Sequence, residues 1–332
     1  MGRADCVNLH TEHPPVAVVE FFSPATAGLS WHRAEPGFSG ATVWRGEDAV
    51  GTQRVAIKGW PFNTATERIE HIHLWLSRAT HLPFVPTAYT SARKQRAVLV
   101  DGQYWDACRW MPGTPRAAPT VVEVRAACVA VARLHLCWPV LEDRRPCRAV
   151  AARLRIISDH RALLDEWNRG LPPFVSELDP LLRRAVREVT RLADNATAAL
   201  RSWLVQPLPR QPCVRDLRGE HVLFEEARVT GIIDYGAMAV DHPAVDLARL
   251  LDDYAAYDGT LFDIGLAAYR EAGSLLDVPN EFVRLLANTG VVCSIMGWLV
   301  RFFVRREPVL RPVAIATRLG ELVTRVEQIT HF

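Results

Sequence analysis

The sequence predicts an α+β chain of two lobes: a small antiparallel β-sheet lobe, then a larger and mainly helical one. Three observations carry that expectation. Residues 29–110 hold five short apolar-rich runs separated by turn signals, with one helical stretch among them. Beyond Pro115 the spacing is mostly helical. Two further apolar runs, Val222–Phe224 and Val229–Ile233, interrupt the helical region around a polar turn.

Residues 1–28, with Pro14, Pro15 and Pro24, read as a loosely organised lead-in. The sheet lobe follows over 29–112. Leu29–Arg33 and Ala41–Arg45 flank Gly37-Phe38-Ser39-Gly40 as a hairpin, and Gln53–Lys58 extends it to a meander. Pro61–Thr80 has helical spacing, with Ile69, Ile72, Trp75 and Leu76 on one face and Thr64 or Thr66 at its start. Arg96–Val100 and Gln103–Trp110 flank Asp101-Gly102, a strong hairpin signal. Met111-Pro-Gly-Thr-Pro115 ends the lobe in turn chemistry. The helical lobe, 113–332, has helical patterns over 121–136, 145–167 (a pair or one broken helix), 179–205, 244–256, 261–272, 279–304 and 312–329.

Composition narrows the class. Of 332 residues, 49% are hydrophobic and 23% charged, so a sizeable core is expected rather than global disorder. The net charge of +2, with no basic run interleaved with aromatics, implies no nucleic-acid partner. The seven cysteines (6, 108, 128, 137, 147, 213 and 293) are scattered without a CxxC pair, as expected of reduced, mostly buried thiols in a cytoplasmic protein. The N-terminus lacks the apolar run of a signal peptide. The apolar window Thr289–Val300 is shorter than the roughly 20 residues a bilayer requires. It is expected to be a core helix, with no membrane partner.

The stretch Cys213–Leu251 is where polar residues gather. Asp216 lies in a loop five positions before His221, and Asp234-Tyr235-Gly236 ends the second apolar run. A hairpin entered from Asp216 and His221 and left at Asp234 brings its two ends side by side, where two carboxylates and an imidazole suit a divalent metal on phosphate oxygens. Upstream, the Gly37–Gly40 turn allows a backbone to approach phosphates. Lys58, at the end of its strand, can neutralise phosphate oxygens, and Glu70 (or Glu67) on the next helix is placed to hold it. Each feature alone has a plain reading as a turn or a solvated charge.

Taken in order, these features resemble the aminoglycoside phosphotransferase and choline kinase-like family, of protein-kinase-like fold. The likeness runs from about Leu29 into the C-terminal helices. The family's His-Gly-Asp, four residues and Asn correspond to Val214-Arg215-Asp216-Leu217-Arg218-Gly219-Glu220-His221. Its Asp-Phe-Gly-like element corresponds to Asp234-Tyr235-Gly236, and its Asp-Pro-x-x-Asp-Leu-Ala to His242-Pro243-Ala244-Val245-Asp246-Leu247-Ala248.

The resemblance implies ATP-dependent transfer of a γ-phosphoryl group to a small-molecule hydroxyl. Asp216 is the catalytic residue, and Lys58, Glu70, Gly37, Ser39 and Gly40 hold the nucleotide. Asp234 and His221 hold Mg²⁺, with Mn²⁺ as the alternative because an imidazole replaces the amide. Asp246 and Arg215 support the catalytic loop. The competing reading is a catalytically weak or inactive kinase-like module that binds a nucleotide or metabolite. A protein kinase is disfavoured, since no Ala-Pro-Glu-like segment follows Asp234. The acceptor is not legible, and a monomer or homodimer is expected.

Other polar residues are assigned smaller parts. His71 and His73, at i and i+2, are expected at the surface or between lobes. The Asp252-Asp253 pair is a solvated helix face or a contact for a cationic substrate. Arg109 and Trp110 are expected in core packing or beside an adenine. Asp159 and His160 have no evident partner.

Overall fold

The computed structural model describes residues 13–35, 40–52, 54–173, 177–255, 258–273, 277–309, 311–330 and 332. In chain order, helix α1 (Val16–Phe21) precedes strands β1 (Ser30–Arg33), β2 (Thr42–Glu47) and β3 (Arg54–Gly59). Helix α2 (Thr66–Arg78), β4 (Ala97–Val100) and β5 (Gln103–Arg109) follow. Next come α3 (Val121–Leu136), β6 (Leu141–Arg145), α4 (Arg148–Asp159), α5 (Arg161–Arg169), α6 (Asp179–Leu204) and β7 (Leu208–Cys213). The hairpin β8 (Val222–Glu225) and β9 (Arg228–Ile232) leads to β10 (Ala239–Asp241). The chain then runs through α7 (Ala244–Ala255), α8 (Gly259–Glu271), α9 (Asn280–Leu299) and α10 (Pro312–Glu327).

The chain divides into two compact units: residues up to Pro115 with His221–Gly236, and Arg116–Glu220 with Ala237–Phe332. In the first, five antiparallel strands lie in the order β1-β2-β3-β5-β4. Alternation on β3 sends Val55 and Ile57 into the core, both fully buried, and turns Ala56 and Lys58 to the opposite face. Helix α2 buries Ile69, Ile72, His73 and Leu76. The expected place of Trp75 on that face goes to His73, because the helical stripe continues from Ile69 by four residues and from Ile72 by one.

Three boundaries differ from expectation. The lead-in is structured: α1 carries Val18, and Phe22 follows it, both fully buried against Trp44, Ile57 and Trp105. The β8–β9 hairpin belongs to the first unit, because its backbone bonds there. Thr114 and Phe224 exchange both amide–carbonyl bonds (3.0 and 2.9 Å), Ile232 N–H donates to Phe84 O, and the Thr230 hydroxyl donates to Pro112 O. Gly113 is required at this junction: its φ is +95°, and a Cβ would meet Thr230 Oγ1 at 2.4 Å. Finally, the helical unit contains a three-stranded sheet, β10-β7-β6. Pro209 and Pro212 on β7 and four charges on β6 conceal these strands from pattern reading.

In the second unit α6 packs on α4, α5, α9 and α10, and α3 on α8. Thr120 and Glu123 form a reciprocal capping box at the start of α3. Residues 145–167 resolve into the pair α4 and α5, broken at His160, whose Nδ1 lies 2.9 Å from Ile156 O. Helix α9 continues as a π-helical turn to Val304, so the stretch from Asn280 is long and apolar enough to cross a membrane. At 25 residues its length does not exclude a span. What marks it as a core helix is that Phe282, Val283, Leu286, Val292, Ile295 and Leu299 are all buried in the packing.

If α1 and Phe22 complete the first unit's core, Phe22→Ala should cost about 3–5 kcal/mol in urea unfolding. A loss below about 1 kcal/mol would return the lead-in to a peripheral role.

Candidate active site

The opposite face of the first unit's sheet lines a cavity of about 360 Å³. Val43 of β2 and Ala56 of β3 form its apolar wall with Leu76 of α2 and Leu223 and Ile233 of the hairpin. Cys108 stands directly across the β3–β5 ladder from Ala56, as Asp106 does from Lys58. Arg109, Trp110 and Met111, which leave β5, also line the cavity. Arg109 and Trp110 therefore do more than pack a core. The Cys108 thiol is half-buried, and loss of water around it pushes it up to about 12, away from the reactive thiolate.

The polar end holds Lys58, Asp234 and His221 together. Lys58 Nζ lies 2.8 Å from Asp234 Oδ1 and 4.7 Å from the centre of the Trp60 ring. The Gly236 amide also donates to Oδ1, at 3.3 Å, and the Arg68 guanidinium donates to Gly236 O. Asp234 has φ +58°, a left-handed conformation in which a short polar residue ends β9 and turns the chain. Burial acts to raise the Asp234 carboxyl. The Lys58 ammonium and its hydrogen bond, then His221 and the Gly236 amide, outweigh it and hold the group below the usual carboxylate range.

Asp234 Oδ2 is left to face His221 Nε2 at 3.9 Å. Two donors at that separation can share one cation whose ligands stand about 2.0–2.2 Å away. A carboxylate oxygen and an imidazole nitrogen thus fit a divalent ion here, and the nitrogen suits Mn²⁺ better than Mg²⁺.

The loop 213–220 lies in the second unit and is held from below by Asp246. This fully buried carboxylate accepts from the amides of Val214 (2.7 Å) and Arg215 (2.5 Å) and lies 3.0 Å from His135 Nε2. His135 Nδ1 in turn lies 2.9 Å from the Tyr269 hydroxyl. Asp216 projects from the loop half exposed, with Arg249 Nε of α7 at 3.4 Å from Oδ1. Arg215 contributes its amide to Asp246, while its guanidinium approaches Asp241 at 3.7 Å. Further on, the Gly219 amide donates to Asp253 and Tyr254 donates to Gly219 O. A Cβ on Gly219 would strike the Tyr254 ring at 2.6 Å.

A family model described as "Phosphotransferase enzyme family" matches residues 30–280. The chain belongs to that family. Among solved structures it is similar to an aminoglycoside phosphotransferase from Alicyclobacillus acidocaldarius, at 17% identity and a TM-score of 0.57, covering 96% of this chain and 98% of that one. It is also similar to spectinomycin phosphotransferase APH(9)-Ia in complex with ADP and spectinomycin (12%, 0.66, 90% and 92%). A third likeness is to ADP-bound aminoglycoside phosphotransferase APH(2'')-Ib (13%, 0.52, 96% and 100%). A comparison with curated proteins finds no match. These likenesses show the kinase-like α+β fold of the family.

Within this phosphotransferase, Lys58, Asp234 and His221 meet in the first unit, and Asp216, Arg215 and Asp246 meet in the second. Glu70 joins neither group. It is exposed on α2, as is Glu67, while Lys58 pairs with Asp234; the α2 stripe that faces the sheet is spent on Ile69, Ile72, His73 and Leu76. Gly40 has φ +76° and open space around it, and Gly37 and Ser39 lie outside the described residues.

The acid pair on α7 is not a solvated face. Asp252 is buried 3.1 Å from Arg325; burial pushes its carboxyl up to about 6 against that partner. Burial likewise acts to raise Asp253, but Arg249, Arg218, Arg325 and Arg318 outweigh it and hold the carboxyl low. His73 is no surface residue either, being 5% exposed against Asp106. No sequence signal marked His135, Tyr269, Arg249 or the His73–Asp106 pair, since none belongs to a local motif.

His242, which stands where the family has Asp, accepts the Ala244 amide on Nδ1 (3.2 Å) at the start of α7. Its Nε2–H therefore donates to Asp277 O. Burial lowers it to about 4 against the raising effect of that carbonyl, so the folded protein holds it neutral. The unfolded imidazole takes a proton near pH 6.5, so this contribution is present in full above that value and is lost as pH falls towards 4. Wild type should lose on the order of 3 kcal/mol over that window relative to His242→Asn, which keeps a capping acceptor but does not titrate. Parallel pH–stability curves for the two proteins would refute this.

Proposed function

We propose that this protein transfers the γ-phosphoryl group of ATP to a hydroxyl of a small molecule. The observation that carries the reading is the Lys58–Asp234 pair at the polar end of the cavity, with the second Asp234 oxygen turned towards His221. The apolar wall offers a flat purine a dry slot, and Lys58 offers the phosphates a cation. ADP in two of the similar structures supports a nucleotide ligand. Asp234 and His221 would hold a divalent cation, which supplies charge neutralisation for the phosphates.

Asp216 orients the acceptor hydroxyl and takes its proton. An oxygen–phosphorus bond forms to the acceptor, the bond from the γ-phosphorus to the β–γ bridging oxygen breaks, and ADP departs. Asp246, itself bonded to His135, holds the loop backbone at Val214 and Arg215, so the Asp216 side chain projects from a fixed base.

Acceptor-dependent ADP release should be seen when the protein is given ATP, Mg²⁺ or Mn²⁺, and pooled hydroxyl compounds (aminoglycosides, amino alcohols, sugars and homoserine). Asp216→Ala should lower the rate by about 100-fold or more while nucleotide affinity changes less than about threefold. Absence of acceptor-dependent ADP, or an active Asp216→Ala protein, would sink the assignment.

A further inference from the structure

Lys58 and Asp106 face each other directly across β3 and β5, so both side chains leave the same face of the sheet. In such a pair the Cβ atoms stand about 4.5–5.5 Å apart, close enough for an ammonium and a carboxylate to join. They do not join. Lys58 bonds to Asp234 at 2.8 Å, and Asp106 Oδ2 lies 3.0 Å from Nε2 of His73, brought in by α2.

The His73–Asp106 pair is unusual in its setting. Its side chains are 5% and 9% exposed, and both residues line the cavity. Among the described residues His73 Nδ1 is buried without a hydrogen-bond partner, and Asp106 is the one group there that compensates the imidazole for leaving water. Helix α2 does not need this contact to dock, because Ile69, Ile72 and Leu76 already bury its inner face. Two costly polar groups sit in an otherwise apolar interface, beside the lysine on which the site depends.

We infer that His73 and Asp106 form a positioning pair for Lys58. By engaging Asp106, His73 withholds that carboxylate from the lysine opposite it, which leaves Lys58 to Asp234 and to the phosphates of a nucleotide. The inference rests on the nucleotide reading above. A buried carboxylate that loses its partner takes the nearest cation, so without His73 the ammonium of Lys58 is drawn to Asp106. The device acts on phosphate recognition and leaves the apolar wall around the purine untouched.

Calorimetric affinities for adenosine and for a non-hydrolysable ATP analogue test this in wild type, His73→Leu, His73→Gln and the double variant His73→Leu/Asp106→Asn. His73→Leu should weaken the analogue by about tenfold and adenosine by less than about twofold. His73→Gln, which keeps an N–H in reach of Asp106, should restore most of the loss. The double variant should also recover, because no carboxylate remains to compete for Lys58, whereas a packing role would make it no better than His73→Leu. Should His73→Leu fail to fold, His73→Asn, too short to reach Asp106, gives the same comparison. Equal weakening of both ligands, or no recovery in the double variant, overturns the inference. A wild-type protein that binds neither ligand overturns the nucleotide reading and this inference with it.

Discussion

One ammonium group ties the first unit together. Lys58 on β3 bonds to Asp234 at the end of β9, 176 residues later in the chain. The hairpin that carries Asp234 returns to the unit begun by α1 through backbone bonds at Phe84 and Thr114. Those bonds position the strand; the ion pair sets the chemistry of its end. Lys58 takes one oxygen of Asp234, and the other faces His221. Three side chains from distant parts of the sequence thereby make one polar end to an apolar cavity.

The second unit solves a different problem. The loop that carries Asp216 has backbone amides to satisfy, and it contains a residue, Arg215, with φ +69°. Asp246 satisfies two of those amides from beneath, and His135 and Tyr269 extend the network into the core. Burying a carboxylate this deeply is costly unless hydrogen bonds replace its water, and here three donors do so. His135, Cys213 and Asp246 lie close enough to suggest a metal cluster. The loop amides, the Tyr269 hydroxyl and nearby backbone carbonyls already engage their polar atoms, so the cluster reads as a support for the loop.

Substitutions relative to the family pattern show how one requirement is met by different chemistry. His242 replaces an acid at the start of α7, and its Nδ1 lone pair still accepts a helix amide. The change introduces a neutral imidazole with a strong preference for staying uncharged. Val214 stands where the family pattern has histidine and is fully buried, so the position serves the loop by packing. His221 stands where the family pattern has an amide, and it presents a nitrogen to Asp234 Oδ2 at 3.9 Å.

Much of the fold was legible in the sequence because its signals are local. The five-stranded sheet follows from alternation and from turns such as Asp101-Gly102, and the helices of the second unit follow from periodicity. Asp216, Asp234, His221 and Asp246 were singled out because the short motifs that carry them resemble the family's pattern, and such motifs are local to the chain. Pairings across the chain were not. The sequence places Glu70 and His73 on the same helix, and only packing exposes the first and buries the second against Asp106. The prolines of β7 and the charges of β6 argue locally against strands that tertiary pairing nonetheless forms. The acids of α7 look solvated until arginines from distant parts of the unit close on them. Sequence carries what a residue can do with its neighbours in the chain. Which carboxylate meets which cation is settled by residues tens to hundreds of positions away, and only the folded chain brings them together.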